Sequence, residues 1–88
     1  MGKQEDPAAE LTMKELVEYI ARALVDYPEK VEVMAVESQM SVILELKVAP
    51  EDVGKVIGKG GQTAKAMRKI LSAAATKLHK KSLLQIVE

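Results

Sequence analysis

Thirteen residues in the middle of the chain constrain its fold most. Val53-Gly54-Lys55-Val56-Ile57-Gly58-Lys59-Gly60-Gly61-Gln62-Thr63-Ala64-Lys65 reads as an apolar turn running into a glycine-framed loop. The loop carries a lysine and opens directly into a basic helix. Glycine lets backbone N–H groups approach an anion closely, and a helix N-terminus adds partial positive charge. The segment therefore reads as a phosphate-binding device. Which phosphate it takes decides the function.

Three phosphate motifs compete for this loop. A Walker A loop needs four residues between its first two glycines, then Lys followed by Ser or Thr. Here Gly54 and Gly58 enclose only three residues, and Gly60 follows Lys59. A dinucleotide fingerprint needs a preceding strand in a parallel βαβ unit. Here a short helix precedes the loop, and the chain is too short for a doubly wound sheet. The third motif is a helix–GXXG–helix, whose loop clamps the backbone of about four nucleotides.

At 88 residues the chain has room for one domain with a small core. It lacks cysteine, which removes disulfides and thiolate metal sites. No apolar run approaches the roughly 18–20 residues that span a bilayer, and no signal peptide opens the chain. The expectation is a cytoplasmic protein with no membrane partner.

The zero net charge conceals a segregation. Residues 1–52 hold twelve acids against five bases. From Val53 to Val87 there is no acid, while Lys55, Lys59, Lys65, Arg68, Lys69, Lys77, Lys80 and Lys81 are basic. A basic face of this kind suits a polyanion. The plainer alternative is a solvated helix face that balances acidic neighbours in the same fold.

The elements can be read in order. Residues 1–10 are polar and small and read as a flexible tail, leaving 11–88 as the folded domain. Thr12 and Glu15 form a capping box, with Leu11 placed to staple onto Leu16. Met13, Leu16, Val17, Ile20 and Leu24 follow helical spacing, and Asp26-Tyr27-Pro28 stops the helix. A strand from Val31 to about Glu37 and a second from Ser41 to Val48 form a hairpin. Pro50, Glu51 and Asp52 open a short helix whose buried stripe is Val53, Val56 and Ile57. After the loop, a long helix runs from about Gln62 to Leu78. Its inner face is Ala64, Met67, Leu71, Ala74, Ala75 and Leu78. Ser82 to Val87 is a last strand. The order is α-β-β-α-α-β, an α+β layer structure with helices on one face of a three-stranded sheet.

This order and the Val56-Ile57-Gly58-Lys59-Gly60-Gly61 core resemble the type II KH fold. Residues 13–88 as a whole resemble a bacterial family, the KhpA-type small single-KH-domain RNA-binding proteins. The likeness is carried by Val48 to Lys59, then Thr63 to Ala66, then Leu71 to Leu78. It implies single-stranded RNA as partner and a role as an RNA chaperone or post-transcriptional regulator. It also implies pairing, as a homodimer or with a larger Jag-type KH protein. Two positions depart from the family pattern. Gly60 stands where a larger polar residue is usual, and Gln62 where Arg is frequent.

The expected mechanism is binding rather than chemistry. Backbone N–H groups of Gly58, Lys59, Gly60, Gly61 and Gln62 would hold phosphates, with Lys59 the side chain best placed to pair with them. Lys55, Lys65, Arg68 and Lys69 would add attraction. Bases would lie in an apolar groove walled by the two helices and the second strand, with Val56 and Ile57 as candidate walls and Ile43 as a further one. Val56 and Ile57 are equally readable as core. Tyr19 and Tyr27 are the only aromatics and neither is near the loop, so stacking platforms are missing there. His79 stands alone without a catalytic partner set, no metal constellation exists, and no cofactor is implied. The competing expectation is a protein-interaction or dimerisation module, free or ribosome-associated, with RNA contact secondary.

Overall fold

The capping box forms as the sequence dictates, and it starts the first helix. The computed structural model describes residues 12–87. The expected tail and the Leu11 staple lie outside them. Thr12 is extended (φ −68°, ψ 163°), and its hydroxyl accepts from the Glu15 N–H at 3.1 Å. The Glu15 carboxylate accepts from the Thr12 N–H at 3.1 Å. Helix α1 spans Met13–Leu24 and buries Met13, Val17 and Ala21. It ends earlier than the Asp26-Tyr27-Pro28 stop predicts. Val25 leaves the helix (φ −99°, ψ 161°), because the next two N–H groups are taken by a distant carboxylate described below.

After a 3₁₀ turn at Pro28–Lys30, strands β1 (Glu32–Glu37) and β2 (Ser41–Lys47) form the expected hairpin. Their antiparallel register runs from Glu32 opposite Lys47 to Glu37 opposite Val42. The connecting turn lacks glycine but is held by serine. The Ser38 N–H donates to the Ser41 carbonyl at 2.8 Å, and the Ser41 N–H donates to the Ser38 hydroxyl at 3.1 Å. A 3₁₀ turn, Pro50–Asp52, leads into α2 (Val53–Ile57). Another, Lys59–Gly61, leads into α3 (Gln62–Lys77). Strand β3 (Lys81–Val87) then pairs parallel to β2, from Ser41 beside Lys81 to Lys47 beside Val87. A parallel pair needs a crossover, and α2 with α3 supplies it.

The sheet order is β1-β2-β3, so β2 is central and both of its edges are used. Alternation along β2 sends Val42, Leu44 and Leu46 to the helix layer, where all three are at most 1% exposed. Val56 of α2 and Met67, Leu71 and Ala75 of α3 close over them. The opposite sheet face is uncovered and carries Met34, Val36, Ile43 and Leu83 in exposed positions. The α+β reading, with helices on one face of three strands, therefore holds.

The ends of α1 and α3 depart from the predicted apolar stripes. Leu24 is 38% exposed at the last residue of α1. Leu78 is 54% exposed, because it is the C-cap residue (φ −96°, ψ 4°) and no longer obeys helical periodicity. Past it, His79 takes φ +58°, donating its N–H to the Thr76 carbonyl at 3.0 Å. The Lys80 N–H reaches the Ala75 carbonyl at 2.9 Å. This is a Schellman closure with histidine where glycine is favoured. Its position explains His79 without any appeal to chemistry. We predict that His79→Gly raises stability by about 1 kcal/mol, by relieving left-handed strain. Urea denaturation of the two proteins measures it.

Candidate functional site

The loop between α2 and α3 is built on positive-φ glycines. Gly58 ends α2 at φ +78°, ψ 168°, with its N–H bonded to the Gly54 carbonyl at 2.8 Å. Gly60 (φ +64°) and Gly61 (φ +76°) are left-handed, and the Gly61 N–H closes the turn on the Gly58 carbonyl at 3.0 Å. The requirement for glycine differs along the loop. A Cβ on Gly58 would collide with the Thr63 side chain and lie 2.8 Å from the Thr63 nitrogen, whereas at Gly60 and Gly61 it would meet open space. Gly58 is thus fixed by sterics, whereas position 60 has room for a side chain at the cost of left-handed strain.

Gly61 is the N-cap of α3 and supplies no side-chain acceptor. The mouth of a sixteen-residue helix is therefore free of a side-chain cap, but of the expected phosphate donors the Gln62 N–H already donates to the Lys59 carbonyl, as the Gly58 and Gly61 N–H groups do to Gly54 and Gly58. Lys59 projects from the loop and is exposed, as are Gln62, Lys65, Arg68 and Lys69 on α3. Helical spacing sets Lys65, Arg68 and Lys69 side by side on the cylinder. Arg68 leans toward β3, where its guanidinium donates to the Leu84 carbonyl at 3.3 Å.

Three expected features sit elsewhere. Val56 is 0% exposed, so only Ile57, half-buried, offers wall surface beside the loop. The second strand is the central strand, so the edge nearest α3 is β3 and not β2. Ile43 lies on the sheet face turned away from the helices. Lys55 is not a free cation. Its ammonium lies 3.1 Å from the Asp26 carboxylate and 3.5 Å from that of Asp52. The Asp26 contact leads in holding Lys55 above its ordinary pKa of 10.5.

Asp52 is the residue that sequence reasoning missed. Its carboxylate is fully buried and accepts from the Asp26 N–H at 3.2 Å and the Tyr27 N–H at 3.0 Å. These bonds tie the α1–β1 turn to the start of α2. Burial pushes the Asp52 pKa up, but the two backbone bonds and Lys55 together outweigh it, so the carboxyl sits below 3.8. The sequence reading makes Asp52 only part of a helix entry with Pro50 and Glu51. The only local signal was its i,i+3 spacing to Lys55.

Comparison with known proteins fits this geometry. Residues 14–86 match the family described as KhpA/KhpB, KH domain. The chain is similar to the RNA-binding protein KhpA of Clostridium perfringens, with 59% identity over 75 residues covering 85% of this chain and 100% of that one. The KhpA of Clostridium acetobutylicum is 55% identical over the same coverage. Among solved structures, Era in complex with MgGDPNP and nucleotides 1506–1542 of 16S ribosomal RNA superposes with a TM-score of 0.62. That match has 20% identity and covers 98% of this chain and 35% of Era, so it speaks for the fold alone.

Two outcomes are predicted. Gly58→Ala costs about 2–3 kcal/mol, whereas Gly60→Ala costs about 1 kcal/mol, measured by chemical denaturation. Because the Asp52 pKa is depressed, its contribution to stability is present above pH 3.8 and is lost as pH falls through the folded-state value. Asp52→Asn therefore melts several degrees lower than wild type at neutral pH. The gap closes as pH falls below the depressed folded-state value.

Proposed function

The chain belongs to the KhpA/KhpB KH-domain family, and from that premise we propose that it is an RNA-binding protein that grips single-stranded RNA by its backbone. The observation that carries this reading is the unplugged mouth of α3. Positive-φ glycines present the main chain there, no side chain caps it, and Lys59 stands beside it. Phosphates lie against Gly58–Gly61 and the first turn of α3, with Lys59 pairing directly. Lys65, Arg68 and Lys69 add electrostatic attraction. Bases lie between Ile57 of α2 and the β3 edge. Lys55 contributes less than its charge suggests, because two carboxylates hold it.

The module acts by binding, not by chemistry, within one KH domain over residues 11–88. It works in the cytoplasm as an RNA chaperone or post-transcriptional regulator. Among the described residues no helix is long and apolar enough to cross a membrane. With no aromatic beside the loop, a single module binds on the order of micromolar or more weakly, with limited base preference. Pairing, as a homodimer or with a larger Jag-type KH protein, would raise avidity by engaging two sites on one strand.

A second reading is a protein-interaction or dimerisation module, free or ribosome-associated, with RNA secondary. The uncovered apolar sheet face of Met34, Val36, Ile43 and Leu83 favours it. The double change Lys59→Asp with Gly60→Asp separates the two. The RNA reading predicts that affinity for a single-stranded oligonucleotide falls at least about tenfold while the melting temperature falls no further than in Gly60→Ala alone. Affinity in the wild type should also fall steeply with salt. Lys59→Gln should weaken binding more than Lys55→Gln. Undiminished RNA affinity in the double variant would show that the loop is not the site.

A further inference from the structure

Strand β1 ends the sheet on the side away from β3. Among the described residues no strand pairs with its outer edge. The register tells which backbone groups point outward. The Ser38 N–H donates to the Ser41 carbonyl, so these two residues form a hydrogen-bonded pair. Bonded and unbonded pairs alternate along an antiparallel ladder. Val36, Met34 and Glu32 therefore face β2, while Glu37, Ala35 and Val33 turn their N–H and C=O groups outward. Val33 is part of the buried core, but Ala35 and Glu37 are exposed. Between them they hold two donors and two acceptors at the free edge. The neighbouring side chains are apolar and uncovered, with Met34 66% and Val36 65% exposed. Edge strands are commonly blunted by lysine, proline or a bulge. Glu32–Glu37 contains neither lysine nor proline, and its register with β2 is unbroken.

We propose that this edge accepts an extended segment of a partner protein, alternating basic and apolar residues, as a fourth strand. The outward groups of Ala35 and Glu37 supply its backbone hydrogen bonds. Residues opposite each other across a ladder share a face, so the pattern of the guest is set by β1. Its apolar side chains lie beside Met34 and Val36 on the uncovered sheet face. Its basic side chains lie beside Ala35 and Glu37 on the other face. The Glu37 carboxylate pairs with Lys80, yet the side chain stays 60% exposed and open to a second cation. Charge selects this occupant. Residues 12–37, which build α1 and β1, carry six acids against three bases, a field that attracts a basic peptide and repels RNA. A second copy fits less well. Pairing β1 along its length with itself would set Glu32 opposite Glu37 of the other copy at both ends, and like charges directly opposed are destabilising. The proposal does not rest on the RNA-binding reading, because β2 stands between this edge and the strand beside α3.

The test titrates the full chain with a capped five-residue peptide, Lys-Val-Lys-Val-Lys, and follows its amides. Saturable shifts should centre on Met34–Glu37. At saturation, solvent exchange of the Ala35 and Glu37 N–H groups should slow, while those of Met34 and Val36, already bonded to β2, serve as the internal reference. The same peptide methylated at every backbone nitrogen should lose binding, a control that leaves the protein untouched. Glu-Val-Glu-Val-Glu should not bind, and the double variant Glu32→Gln with Glu37→Gln should weaken the lysine peptide about fivefold. Ala35→Pro removes an outward donor at a position where an edge strand tolerates proline, and should abolish binding. The proposal is overturned if the methylated or the glutamate peptide binds as well as the lysine peptide. It is also overturned if the shifts centre on Gly58–Gly61. Protection of Ala35 and Glu37 that rises with protein concentration in the absence of peptide would assign the edge to a second copy instead.

Discussion

One buried carboxylate organises the working end of this small fold. Asp52 stands at the start of α2 and reaches back to two consecutive N–H groups of the α1–β1 turn. It thereby fixes α2 against α1 while the helix is only five residues long and has little stability of its own. The direction of α2 decides where Gly58 lies, and Gly58 decides how the chain swings into α3. The same carboxylate holds Lys55 on one flank of α2. A charged group without exposure is costly unless fully satisfied, and here every charge-bearing oxygen has a donor.

Around that anchor, the loop separates two demands. Sterics at Gly58 concern the fold, because a side chain there would strike Thr63. Openness at Gly60 and Gly61 concerns access, because the main chain there is left uncovered. The basic residues follow the same division. Lys55 is spent on the internal ion pairs, Arg68 reaches the β3 carbonyl edge, and Lys59, Lys65 and Lys69 remain as exposed cations. The segregated charge of the sequence therefore overstates the free positive field, although its sign and place are right.

Much of this was legible in the residues because it is local. The capping box closes over four residues, the alternation in β2 repeats every second residue, and the loop glycines carry their own conformational signature. What escaped reading was long-range or too short to be periodic. The partners of Asp52 lie 25 and 26 residues away. In α2, five residues give fewer than two turns, so spacing could not say which of Val56 and Ile57 is core. The central place of the second strand also escaped reading, because strand order is set by the parallel crossover. That crossover puts β3, last in sequence, at the edge beside α3.

The central claim is that exposed main-chain amides at the mouth of α3 hold the phosphates of a single strand. An amide-detected titration of the full chain with a short single-stranded RNA tests this most directly. The account predicts saturable shifts confined to Gly58 through Ala64 and the adjoining turn of α2, with Met34, Ile43 and Leu83 on the far face unmoved. Saturable binding that leaves Gly58–Ala64 unperturbed, or that centres on the uncovered sheet face, would contradict it.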